Sequence, residues 1–128
     1  MKNTILSLLL LLLSSVAFAG NWVPIEEGPN GDKLHFEAGS VVKNGSGGMI
    51  RIMVNLSVPM PTSNGQARSF VSIYMFNCFA PVLKVTEMTL YDQPNGVGRA
   101  MDNPWGESGN ISFIPGSVYA IMQDSICR

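Results

Sequence analysis

Cys78 and Cys127 are the whole thiol complement of this 128-residue chain, and the chain begins with the layout of an export signal. Lys2 supplies a positive start, Ile5 to Leu13 is an apolar run broken only by Ser7, and Ala17-Phe18-Ala19 has the small-x-small form of a cleavage box. Cleavage between Ala19 and Gly20 is therefore expected. In an oxidising compartment, an isolated cysteine pair in a small exported domain reads as an internal disulfide. Such a bridge ties a mid-chain strand to the last residues of the protein. The chain-entropy model gives roughly 4 kcal/mol for a loop of about 50 residues. That is a large share of the roughly 5–15 kcal/mol that holds a typical domain together.

The signal's apolar run is shorter than the roughly 20 residues that cross a bilayer, and no other segment approaches that length. A signal at 1–19 and a single exported domain at 20–128 are expected, with a thin core that a staple would help. No cysteine follows the cleavage box, so lipid attachment is not expected, and the protein reads as periplasmic, envelope-associated or secreted. The formal charge is −1 and becomes −2 once Lys2 leaves with the signal. No block of like charge appears, which argues against nucleic acid or an anionic membrane as a partner.

Gly, Pro and Asn clusters cut the chain into short runs that suit strands better than helices. Trp22 to Glu26 reads as a strand at a sheet edge, because Pro24 cannot donate to a ladder. Lys33 to Ala38 reads as a second strand. The clearest strand runs from Met49 to Val58, where Ile50, Ile52, Val54, Leu56 and Val58 alternate strictly with Met49, Arg51, Met53, Asn55 and Ser57. Pro59 to Gly65 reads as a loop, followed by strands over Arg68 to Cys78 and Val82 to Tyr91. The Gly-, Pro- and Asn-rich stretch from Gln93 to Gly109 predicts a lid-like loop or a short irregular strand.

The ending changes period. Ser117 is a fair N-cap, and Val118, Ile121, Met122 and Ser125 recur at helical spacing. A terminal helix carrying Cys127 and laid on one sheet face accounts for both signals. If Cys78 points at that helix, Phe70, Ser72, Tyr74 and Phe76 share its face. Val71, Ile73 and Met75 then occupy the opposite face, which is more apolar than a solvated surface. Two explanations stay open: loops cover this face or the register is shifted by one, or it is a protein contact surface such as a homodimer face.

The order of these features resembles the surface-adhesin protein E family of Gram-negative bacteria. The residues that carry the likeness are Trp22 at the mature start, Glu37-Ala38-Gly39-Ser40-Val41, the long alternating strand and Phe76-Asn77-Cys78. Trp105 in a loop, Ile114-Pro115-Gly116-Ser117 and the terminal Cys127 complete it. The resemblance implies an α+β fold: a single antiparallel sheet of about six strands packed against a C-terminal helix, with Cys78 bonded to Cys127. It further implies a protein-binding role toward host extracellular proteins, and self-association. Of the basic residues that such binding uses after the first cysteine, this chain offers Lys84.

Other candidates carry less chemistry. His35 is the sole histidine, and neither a second histidine nor an acidic cluster surrounds it in sequence, so it reads as a rim residue rather than a ligand. Glu26 and Glu27 are adjacent on a strand and face opposite ways unless a bulge intervenes. No nucleophile elbow or phosphate loop is present. A non-catalytic binding module without cofactor or metal is expected, either adhesive or a periplasmic accessory recognising envelope partners or itself. Its contact residues are expected at Val71, Ile73, Met75, Lys84 and Trp105.

Overall fold

The computed structural model of the protein describes residues 21–28, 30–104 and 109–128. The expected export signal with its cleavage point at Ala19 and Gly20, and Trp105, lie outside the described residues, as does the side chain of Glu26.

The elements in chain order are β1 (Trp22–Glu27), β2 (Lys33–Glu37), β3 (Val42–Asn44), β4 (Gly47–Thr62), β5 (Gly65–Asn77), β6 (Val82–Tyr91), β7 (Ala100–Met101), β8 (Asn110–Ser112) and α1 (Val118–Cys127). The strands form one antiparallel sheet along the path β1-β2-β4-β5-β6-β7, with β3 also on β4 and β8 also on β6. The expected α+β architecture is the one observed, and β1, with Pro24, is the expected edge. Two boundaries differ from the sequence reading. β4 continues through the prolines to Thr62, and β5 begins at Gly65, leaving Ser63 and Asn64 as the turn. Pro59 is accommodated because the β4–β5 register slips between Asn55 and Met60. A slipped segment does not require the ladder N–H that proline lacks. A second bulge lies in β6, where Ile73 faces Thr86 but Val71 faces Thr89; Glu87 takes φ 51 there.

The register sorts side chains between two faces. Ile50 with Tyr74, Ile52 with Ser72, and Val54 with Phe70 form one set of opposed pairs; Met49 with Met75, Arg51 with Ile73, and Met53 with Val71 form the other. The first set, with Phe36, Phe76, Leu83 and Val85, makes the core against α1. The helix begins at Ser117, whose Oγ accepts from the Ala120 N–H at 3.3 Å. It buries Val118, Met122 and Ile126. Ile121 and Ser125, expected on that stripe, instead flank an apolar groove of about 170 Å³ against Ile25, Phe36 and Val41. The stripe runs at steps of four, so one helical row meets the sheet and its neighbour stays at the rim.

Three contacts fix the far end of α1. Cys78 and Cys127, 49 residues apart, are bonded, with Cα atoms 5.6 Å apart. The Gln123 carboxamide donates to the carbonyls of Asn77 (2.6 Å) and Ala80 (2.8 Å). Beneath Ile126 lies Gly48, where a Cβ would overlap the Ile126 Cγ2 methyl. Only glycine lets the helix end descend this close to the sheet. Gly48→Ala is therefore expected to lift α1 and lower stability by about 1–3 kcal/mol, read from denaturant midpoints.

Four rings, Tyr74, Phe76, Phe113 and Tyr119, stack edge-on or tilted with centroids 6.0–6.5 Å apart. Burial pushes the Tyr74 hydroxyl well above its ordinary value of 10.0, and the neighbouring Tyr119 pushes it further. Tyr119 is raised too, by burial and then by Asp32. Both stay protonated in the folded protein at a pH where the unfolded chain ionises. Their contribution to stability thus holds below the ordinary tyrosine value and declines as pH rises above it. Urea midpoints measured across alkaline pH should fall above pH 10.0 in the wild type and fall less steeply in Tyr74→Phe.

Candidate protein-contact surface

The sheet face turned away from α1 is divided in two. Over its middle lies the segment from Gln93 to Arg99, which includes a tight turn at Pro94–Gly96. Ser69 Oγ donates to the Gln93 carbonyl (2.6 Å) and accepts from the Gly96 N–H (2.9 Å). Asn95 N–H donates to Asn55 Oδ1 (2.7 Å), and Asn55 Nδ2 donates back to Asn95 Oδ1 (2.9 Å). Asn95 adopts φ 70, a left-handed conformation that asparagine tolerates better than most residues. Asp92 accepts from Arg99 N–H at 2.8 Å, and Arg99 Nη2 donates to the Asn64 carbonyl at 2.8 Å, which ties the segment to the β4–β5 turn.

This segment seals Met53 and Val71. Val71 is only 6 % exposed, and a Cβ on Gly96 would stand 2.8 Å from its Cγ2. Val71 is thus not offered to a partner, which corrects the sequence expectation. The covering loop is the physical reason, and its polar anchors come from β4 and β5, far from it in sequence. Ile73 and Met75 lie beyond the loop: Ile73 is half-buried and Met75 is 42 % exposed. Met49 stands opposite Met75, and Val42 opposite Met49, with Val42 49 % exposed. Lys84 is exposed opposite Met75 on the other side. One continuous row therefore runs Val42, Met49, Met75, Lys84.

Beside this row stands a polar cluster that the sequence reading did not find. Arg51 pairs with the Glu37 carboxylate, and its guanidinium lies 5.4 Å from the centroid of the Trp22 ring. Arg51 N–H also donates to Ser40 Oγ (3.1 Å), which donates to the Glu37 carbonyl (2.7 Å). The pair is partly exposed, so it orients the arginine more than it stabilises the fold. Trp22 opposes Glu37, and Glu37 and Arg51 are brought level by the β2–β4 register. The alternation of Arg51 with Ile50 and Ile52 was the signal for its face, but the register was needed to find its neighbours.

His35 is half-buried between Pro24 and Met53, and its Nδ1 finds no hydrogen-bond partner among the described residues. No group of three or more His, Cys, Asp or Glu side chains that could hold a metal is gathered among the described residues. Nor is any helix there long and apolar enough to cross a membrane. Glu27 is exposed at the end of β1, where the register shifts after Pro24.

The division of the face predicts the effect of Gly96→Ala. Its φ of 68 disfavours any side chain, and the added methyl presses on Val71. Stability should fall by about 1–3 kcal/mol, with faster amide hydrogen exchange from Gln93 to Arg99.

The pattern that describes the surface-adhesin protein E family matches residues 22–128. No curated protein matches the chain. Among solved structures, crystal form II of Haemophilus influenzae protein E superposes with a TM-score of 0.64 at 18% identity, covering 84% of this chain and 87% of that one. Protein E from non-typeable Haemophilus influenzae gives a TM-score of 0.62 at 17% identity, covering 84% and 75%. At such identities the likeness is one of fold.

Proposed function

Because the chain belongs to the surface-adhesin protein E family, we propose that it is an exported, non-catalytic protein-binding module of the bacterial cell envelope. Export proceeds through the signal at 1–19, with release after Ala19. The partner is another protein, with host extracellular proteins as the leading class. Its contact surface is the open half of the outer sheet face: Ile73, Met75 and Met49, flanked by Lys84, with Trp105 contributing from the 93–109 segment.

One observation carries this reading. The apolar row of Val42, Met49 and Met75 remains open on a face whose centre is otherwise closed by a firmly anchored loop. Contiguous apolar surface of this kind marks interaction sites in soluble proteins. Methionines suit such a surface because their unbranched side chains adapt to a partner. The adjacent cation, Lys84, favours an acidic rim on that partner.

Capture of serum and envelope proteins by the oxidised domain, compared between wild type and Met75→Asp, tests the assignment. A partner held by the wild type and lost at least tenfold by Met75→Asp is expected, because a charge is then buried unpaired. Equal capture by both proteins would remove this face from the function. Protease treatment of intact cells separates a displayed adhesin, which is cleaved, from a periplasmic accessory, which is not.

A further inference from the structure

The register slip that accommodates Pro59 also borders a notch of about 320 Å³. Lys33 from β2, Asn55 from β4 and Arg68 from β5 line it, and Leu56, Pro59 and Pro94 give it an apolar wall. The arginines elsewhere in the chain are each matched to an acid: Arg51 to Glu37, Arg99 to Asp92, and Arg128 to Asp124. Among the described residues, neither Arg68 nor Lys33 has a carboxylate within ion-pairing distance. Two unmatched cations from different strands thus meet at one concavity.

The walls of the notch are held in place. Asn55 is fixed by its two bonds to Asn95. Two carboxylates adjoin Lys33: Glu27 stands opposite it in the β1–β2 register, outside ion-pairing distance, and Asp32 precedes it in the chain, with an Oδ1 that already accepts from both the N–H (2.8 Å) and the Oγ (2.9 Å) of Ser57. That carboxylate is engaged in holding the slipped strand against the β1–β2 turn. It reduces the positive potential of the notch without occupying either cation.

We propose that this notch binds the phosphate or sulfate ester of a monosaccharide-sized ligand. An arginine fork and a lysine point charge approaching from different strands match a group with several oxygens. A carboxylate is satisfied by the fork alone. The volume lies at the small end of ligand pockets and exceeds what a bare ion needs. The apolar wall suits the C–H face of a sugar ring.

The test is an NMR titration of the disulfide-intact domain at constant ionic strength, with glucose 6-phosphate, glucose 6-sulfate, inorganic phosphate and glucose as separate arms. Saturable shifts are expected at the amides of Gly31, Lys33, Asn55, Ser57 and Arg68 with one or both esters, and the stronger ester identifies the source. Arg68→Gln and Lys33→Gln should each weaken that binding at least tenfold. Lys43→Gln, on β3, should leave it unchanged. Both lining cations are exposed, so thermal midpoints near the wild-type value are expected for their variants. The proposal is overturned if neither ester produces saturable shifts at millimolar concentration, or if both variants bind as the wild type does. It is also overturned if glucose alone reproduces the shifts. Inorganic phosphate binding as tightly as the esters would overturn the ester assignment.

Discussion

The attachment of α1 to the sheet decides what every other surface of this protein can do. The helix buries only one row, Val118, Met122 and Ile126, and a helix of this length is marginal by itself in water. It is held by contacts concentrated at its C-terminal end: the Cys78–Cys127 bond, the Gln123 carboxamide on the Asn77 and Ala80 carbonyls, and Ile126 lying over Gly48. The serine cap holds the other end. With the helix in place, the inner face becomes the core and the opposite face is left to meet solvent, the covering loop or a partner.

The outer face is divided by polar chemistry. Ser69 and Asn55 project from the sheet beside Val71 and Met53, and their hydrogen bonds draw the Gln93–Arg99 segment down as a cover. Toward Met75 the outward positions offer no such anchors, and the face stays open. Where β4 slips against β5, Lys33 and Arg68 border a notch. An apolar row beyond the loop and a cationic notch at the slipped segment are thus two separate surface features.

Much of this was legible from local pattern. The strict alternation from Met49 to Val58 identified the central strand and both of its faces, and the face shared by Phe70, Ser72, Tyr74, Phe76 and Cys78 followed from the helix-linked cysteine. Ser117 was readable as a cap because capping chemistry is local. The remainder depended on register and on contacts between distant segments. The prolines at 59 and 61 masked the continuation of β4, since a bulge that tolerates proline leaves no local mark. The cover over Val71 rests on Asn55 and Ser69, about 25 to 40 residues away from the loop they hold, well beyond the reach of sequence periodicity. The Trp22, Glu37 and Arg51 cluster spans three strands and becomes visible only once they are aligned.

The covalent tie at the end of the helix is the claim on which the two-faced arrangement rests. It is tested most directly by intact-mass analysis of the native protein, followed by hydrogen exchange of α1 before and after reduction. One internal bond between Cys78 and Cys127 is predicted, with helix amides losing protection on reduction and stability falling by about 2–4 kcal/mol. Free thiols in the native material, bonds between separate chains, or helix protection unchanged by reduction would contradict the account.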